Sequence, residues 1–567
     1  MKPLEICEKR QTILDQDGHT LVTGGPGSGK TTIALLKAQR SIQALAAGQQ
    51  VLFLSFSRAA VYQVVKKSEA LLKTSDRARI QVQTYHAFCL EVLESHGRLL
   101  NGRACAFIFP GEERLRKSDF VGDWDGERIR LATTDSQYCF DLLASGAADL
   151  FERSQAVRNL YAASYPLTIV DEFQDTDDDQ WRIVQALAKV SRVCCLADPD
   201  QRIFDYRPNV SPIRVEELRK TLLPAEFDLG GDNHRSPTAG ILKFADSVLK
   251  NHNPLPVTND VQTVSYKGRN FAAMVHASVV WTFSQLRKRN IPEPTVAVLC
   301  RTNVFVAELS TILREEHTFN KKRLAPIPHD VAWDADLSAA AGTIVASIME
   351  WSSGLDGALS KTLDLLCHYY RLKNAEHGSA AAIENMQKYK QAVDAVATGG
   401  QPKYKAGKLV SVAFSQGVGM TGDPVMDWIR ARKLLQDALG LSDVFRDASM
   451  VRLFAARDVL AAGLAELWLS KGNYEGAAEI VKNILERERF LSIDRPPRGC
   501  MLMTIHKSKG KEFDGVVMVE GVYKAPFFDN SENPPHEKSR RLLRVGLTRA
   551  RSFVTLVRPQ KAVPLVS

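Results

Sequence analysis

Short apolar, β-prone runs recur along the chain and alternate with helix-forming stretches. Thr20–Thr23, Val51–Ser55, Leu167–Val170 and Arg192–Leu196 form one such set, a pattern that predicts a parallel sheet. Val296–Cys300, Met501–His506, Val516–Glu520 and Phe553–Val557 form a second set and predict a second sheet. Two regions interrupt them. One, near Leu90–Tyr165, is compact; the other, near Asp330–Pro497, reads as mostly helical. In that second region Leu337–Trp351, Ala358–Lys373, Ala380–Thr398 and Ala477–Arg489 carry apolar residues at helical spacing, and Gly399-Gly400-Gln401-Pro402 breaks the run. The expected fold class is α/β: two parallel-sheet cores with inserted, mainly helical subdomains.

Two segments that follow predicted strands carry phosphate chemistry. The first is Gly24-Gly25-Pro26-Gly27-Ser28-Gly29-Lys30-Thr31, placed between the strand Thr20–Thr23 and the helix-forming Thr32-Ile33-Ala34-Leu35-Leu36. Such a strand–loop–helix lets backbone N–H groups converge on phosphates at a helix N-terminus. Lys30 would pair with the β- and γ-phosphates and Thr31 would offer its hydroxyl to Mg²⁺. The second segment is Asp171-Glu172-Phe173-Gln174-Asp175-Thr176, directly after Leu167–Val170. Asp171 would hold Mg²⁺, and Glu172 would orient and deprotonate the attacking water. The neighbouring Asp177-Asp178-Asp179 reads as a solvated acidic face. Together the two segments predict binding and hydrolysis of a nucleoside triphosphate.

Length and composition bound the rest. A chain of 567 residues is too long for a single core. Its 45% apolar and 25% charged content is that of a globular protein, and no apolar run approaches a membrane span. The start, Met1-Lys2-Pro3-Leu4-Glu5, lacks a signal-peptide core. Nine cysteines are scattered without a C-x-x-C pair, which fits buried thiols in a reducing cytoplasm. The net charge of +9 favours a polyanionic partner.

An ordered series of further segments resembles superfamily 1A helicases of the UvrD/Rep/PcrA type. Ser55-Phe56-Ser57-Arg58-Ala59-Ala60 is similar to motif Ia, and Thr84-Tyr85-His86-Ala87-Phe88 to motif Ib. Asp198 to Arg207 (DPDQRIFDYR) resembles motif III, and Asn233-His234-Arg235-Ser236-Pro237 motif IV. Thr504 to Phe513 (TIHKSKGKEF) matches motif V, and Arg541 to Ala550 (RLLRVGLTRA) motif VI.

The resemblance implies two RecA-like cores with ATP between them. The first core would give Lys30, Thr31, Asp171, Glu172 and the γ-phosphate sensor Gln201. The second would give Arg235 and Arg549 as arginine fingers, so that hydrolysis is tied to closure. Gly25, Gly27, Ser28, Gly29 and Thr32 would complete the phosphate cradle. Glu512 would reach the ribose, and Gln11 and His234 the adenine. Phe56, Phe204 and Tyr206 stand where the family stacks bases or lines a single-strand path, although core packing suits Phe56 and Phe204 nearly as well. His86 and His506 would contact the strand backbone or link it to the ATP cleft.

The implied division is 1–89 (core 1A, first part), 90–165 (insertion 1B), 166–228 (core 1A, second part), 229–329 (core 2A, first part), 330–497 (a helical 2B-like insertion) and 498–567 (core 2A, second part). Gln416-Gly417-Val418-Gly419 is either a glycine hairpin that meets duplex backbone or a plain turn. Three positions depart from the family pattern: His234 replaces a tyrosine, Arg544 stands where an aromatic is common, and Lys511 replaces a leucine.

The expected partner is single-stranded DNA and its junctions with duplex, the cofactors ATP and Mg²⁺, and the activity 3′→5′ translocation and unwinding. The short insertions leave room for an alternative, a DNA-activated ATPase that unwinds little and acts with a partner nuclease in repair or in phage defence of the Gabija type. A non-hydrolysing DNA-binding scaffold is disfavoured by the intact catalytic set. Because the chain ends soon after motif VI, any nuclease activity is expected from another polypeptide.

Overall fold

The computed structural model describes residues 6–109, 112–113, 116–117, 120–204, 209–230, 240–331, 335–353, 357–377, 380–436, 438, 440–448, 457–491, 498–522, 525–529 and 532–566. The chain divides into two compact units. One comprises residues 1–106, 129–332 and 493–567; the other comprises 107–128 and 333–492.

The first unit holds two six-stranded sheets, both wholly parallel. The first sheet contains β1 (Thr20–Thr23), β2 (Val51–Ser55), β3 (Ile80–Thr84), β4 (Leu167–Val170), β5 (Arg192–Ala197) and β6 (Ala225–Asp228), in the order β3-β2-β4-β5-β1-β6. The second contains β7 (Val261–Tyr266), β8 (Val296–Cys300), β9 (His329–Val331), β10 (Cys500–Thr504), β11 (Phe513–Val519) and β12 (Ala550–Pro559), in the order β9-β10-β8-β11-β12-β7.

The eight strands expected from apolar runs are the eight interior strands of these sheets. Helices cover both faces of an interior strand, so nearly every residue must be apolar; β2, β4 and β8 are buried throughout. The four edge strands, β3, β6, β7 and β9, are additions to the sequence reading. Their sequences (IQVQT, AEFD, VQTVSY, HDV) mix polar with apolar positions, because an edge strand has one flank open.

Ile33, Leu35 and Ala38 of the helix Lys30–Ile42 pack with Val22, Phe53 and Ile169 to form the first sheet's core. Helix Phe271–Lys288 brings Val275, Val279 and Leu286 to one face of the second sheet. Helices Gly240–Leu249 and Glu537–Leu547 bring Phe244, Leu543 and Val545 to another apolar cluster on that sheet. Ile203 and Phe204, which follow β5 of the first sheet, sit in this last cluster.

The second unit is helical over Ala335–Met349, Ala358–His377, Ala380–Ala397, Lys405–Gln416, Pro424–Leu435, Ser442–Ala448, Arg457–Lys471 and Ala477–Leu491. Its core includes Trp428, Tyr369, Tyr389 and Tyr474. Gly417 adopts φ 73° where helix Lys405–Gln416 ends. Farther along this turn, the fully buried carboxylate of Asp427 accepts bonds from the N–H groups of Thr421 and Gly422 and from the hydroxyl of Tyr474. Among the described residues, no helix is long and apolar enough to cross a membrane.

Candidate nucleotide cleft between the two sheets

The loops at the carboxyl ends of β1, β4 and β5 meet in one place, as expected for ligand sites in open parallel sheets. Gly25, Gly27, Ser28, Gly29, Lys30, Thr31 and Thr32 line a cleft with Asp171, Glu172 and Gln201 from the same sheet. Gly510, Glu512 and Arg549 line it from the second sheet. The glycines have a steric reason to be there: Gly29, which precedes helix Lys30–Ile42, holds φ 93°, and a Cβ on Gly24 would come within 2.7 Å of Ser28 Oγ.

The polar groups of the cleft are arranged for an anion. Lys30 Nζ donates to the carbonyls of Gly24 (2.5 Å) and Gly25 (3.1 Å), within its own loop. Ser28 Oγ is buried without a hydrogen-bond partner. A triphosphate would give both groups anionic acceptors. Asp171 is pushed up to about 6 by burial and by the adjacent Glu172 carboxylate. Two neighbouring carboxylates, one buried and one partly so, call for a cation, and with the Thr31 hydroxyl in the same cleft this donor set fits Mg²⁺.

Burial alone would raise Glu172 too, but Lys509, Lys30 and Arg549 outweigh it and hold Glu172 below the usual carboxylate range. Gln174 Nε2 donates to Glu172 Oε2 (2.6 Å), and Gln174 Oε1 accepts from the Asp198 N–H (2.9 Å). Asp198 Oδ2 in turn accepts from Gln201 Nε2 (2.7 Å). Arg549, 2% exposed, comes from the turn before β12 and donates from Nη2 to Gln201 Oε1 (2.9 Å). Thus the acidic loop, the Asp198 turn and Arg549 form one hydrogen-bonded chain across the cleft.

Four neighbours of this site had no role in the sequence reading. Lys509 Nζ is buried against Asp175, with Glu172 Oε2 at 3.4 Å and the Gln201 carbonyl at 2.8 Å. Gln63 and Lys67 line the cleft from helix Arg58–Leu71. With Ala60 and Val64 they fall at positions i, i+3, i+4 and i+7, a one-face spacing that could have flagged them. Arg544 is 3% exposed and approaches the Asp198 turn.

Other candidates lie apart from the cleft lining. Gln11 is exposed and its amide donates to Asp15 (2.9 Å). Phe56 and Phe204 pack together, ring centroids 4.6 Å apart, at the junction of the sheets. His86 stacks on Phe140 at 4.3 Å. His506 follows β10 and lines a second cavity with Arg202, Arg301 and Lys538; burial, then Arg301 and Lys509, push its imidazole down to about 4. Glu512, by contrast, does line the cleft and accepts from Arg551 Nη2 at 3.2 Å. Tyr206, His234 and Arg235 lie outside the described residues. All nine cysteines are free thiols.

A phosphate loop on one parallel sheet, facing an arginine from a second across a shared cleft, defines a two-core P-loop protein. Comparison with known families agrees. Residues 7–121 and 128–213 match the UvrD/REP helicase N-terminal domain, and residues 499–557 match the UvrD-like helicase C-terminal domain. The chain is thus similar to the UvrD/REP superfamily 1 helicases in both domains, which together match just under half of its length. It is 23% identical to the ATP-dependent DNA helicase PcrA of Bacillus subtilis over 359 residues, covering 52% of this chain and 47% of that protein. Its identity to PcrA of Leuconostoc citreum is 24% over 355 residues, covering 52% and 46%. For PcrA of Staphylococcus aureus (strain NCTC 8325 / PS 47) it is 24% over 297 residues, covering 43% and 40%. In these comparisons the chain spans less than half the length of the curated relatives it matches.

Proposed function

We propose that this protein is an ATP-driven DNA translocase and helicase moving 3′→5′ on single-stranded DNA. The observation that carries the reading is the shared cleft: Lys30, Thr31, Asp171, Glu172 and Gln201 on one wall, Glu512 and Arg549 on the other.

In this reading the N–H groups of the Gly25–Thr31 loop and Lys30 hold the phosphates. Thr31 and Asp171 hold Mg²⁺, which neutralises phosphate charge when bound. Glu172 orients the attacking water and takes its proton. Gln201 and Arg549 meet the γ-phosphate, joined by Arg235 as a second finger. Glu512 addresses the ribose; Gln11 and His234 address the base. Because the arginines belong to the opposite core, turnover requires closure, and each cycle of closing and opening advances the strand. His86, His506 and Tyr206 serve the DNA path and its link to the cleft, while Phe56 and Phe204, packed on each other, back that path rather than stack on bases.

The test is ATP turnover with and without single-stranded DNA, alongside displacement of 3′- and 5′-tailed duplexes. Lys30→Ala and Glu172→Gln are expected to abolish turnover; wild-type rates in either would refute the site. Displacement from the 5′ tail alone would refute the polarity. DNA-stimulated turnover without displacement would favour a DNA-activated ATPase acting with a partner nuclease.

A further inference from the structure

Arg544 carries a guanidinium deep between the sheets and is not one of the groups assigned above to nucleotide. It projects from helix Glu537–Leu547 of the second core. Its Nε donates to Asp246 Oδ1 (2.8 Å) on helix Gly240–Leu249 of that same core. The fork end crosses to the first core: Nη1 stands 3.7 Å from Asp198 Oδ2 and Nη2 4.0 Å from Asp200 Oδ2. A Cβ built on Gly25 would lie 3.9 Å from Nη2, so the group also abuts the phosphate loop. Nη1 is buried and has no hydrogen bond of its own.

What Arg544 approaches is the hub of the catalytic network. Asp198 is 4% exposed. Its Oδ2 fixes the Gln201 amide and its Oδ1 accepts from the Asp200 N–H. Its own N–H bonds Gln174, which bonds Glu172. A cation beside this carboxylate biases both the phosphate-sensing glutamine and the water-orienting glutamate. An aromatic ring, the residue type common here in the resembling family, would supply neither charge nor fork.

We propose that Arg544 is a positioning residue of the hydrolytic site. Closing of the cleft seats its free Nη1 on Asp198 and so locks Gln201 and Glu172 in the geometry for hydrolysis. The proposal rests on the ATPase reading and adds a residue through which closure is communicated.

The experiment is steady-state ATP turnover with saturating single-stranded DNA, plus equilibrium binding of a fluorescent ATP analogue, on wild type, Arg544→Met, Arg544→Lys, Gln201→Ala and the Arg544→Met/Gln201→Ala double variant. Arg544→Met is expected to lower kcat by about 10–100-fold while analogue affinity and KM stay within about twofold. The double variant is expected to be no slower than Gln201→Ala alone, and Arg544→Lys to recover part of the loss. Unchanged kcat in Arg544→Met, an effect on KM alone, or multiplicative losses in the double variant would overturn the role. Should Arg544→Met lose its thermal transition, Arg544→Lys against Gln201→Ala carries the same cycle. A wild-type chain without DNA-stimulated turnover would instead refute the ATPase reading, and this role with it.

Discussion

Replacing Arg549 by alanine tests the division of labour across the cleft. The side chain is almost wholly buried, lines the cleft with the phosphate loop, and is held by bonds to Gln201 Oε1 (2.9 Å) and the Val545 carbonyl (3.0 Å). These bonds fix the direction of its guanidinium, so closure has only to bring it onto the phosphate. Arginine fingers contribute roughly 10³–10⁵ in rate to phosphoryl transfer, which corresponds to about 4–7 kcal/mol of barrier. The variant also strips Gln201 Oε1 of a donor, so its loss should exceed that of Gln201→Ala. Lysine offers a point charge without the fork and should restore only a fraction. The assay is single-turnover and steady-state ATP hydrolysis at saturating DNA, with nucleotide affinity measured separately. We expect turnover to fall at least about 10³-fold with affinity nearly preserved. Turnover within about tenfold of wild type would refute the assignment of Arg549 to the transition state.

Lys509→Met removes a buried cation from Glu172 and Asp175, so Glu172 should ionise at higher pH. The acid limb of the kcat–pH profile should move up, with turnover at pH 6 falling more than at pH 8; a uniform loss would contradict the electrostatic role. His506 is held at about 4 against its ordinary 6.5. Between these values the unfolded chain binds a proton that the folded one refuses, so stability falls as pH drops from about 6.5 to 4, by at most about 3 kcal/mol. His506→Gln should flatten the denaturation midpoint over that range, and an unchanged slope would count against it. Gly510 holds φ 78°, and a Cβ there would stand 3.1 Å from the Ala60 nitrogen. Gly510→Ala should add roughly 1–2 kcal/mol of backbone strain and weaken ATP-analogue binding several-fold; wild-type affinity would show that this approach does not shape the cleft.

Much of this architecture was legible because burial on both faces leaves a strong imprint. An interior strand such as Val51–Ser55 is buried at every position and apolar at all but its last, whereas the edge strand Ile80–Thr84 carries two glutamines and reads as nothing in particular. Lys30, Asp171 and Glu172, which line the cleft, stand out in the sequence because each belongs to a short local segment. Lys509 and Arg544 do not, because their partners lie 334 residues away at Asp175 and 298 residues away at Asp246. A lysine inside a recognisable motif gives no sign of which carboxylate it will meet. Phe204 stood open between base stacking and core packing; its ring is buried in the second sheet's apolar cluster, a placement set by how the two sheets meet.

The central claim is that nucleotide closes two walls that each carry part of the machinery. Its most direct test is the distance between them. Spin labels at Leu71→Cys, on an exposed turn of the first core, and Val280→Cys, on an exposed face of the second, with Cys7 replaced by serine, report it by pulsed dipolar spectroscopy. The account predicts one distance distribution for the nucleotide-free protein on DNA, a shifted one with a non-hydrolysable ATP analogue, and a return with ADP. Identical distributions in all three states would contradict it.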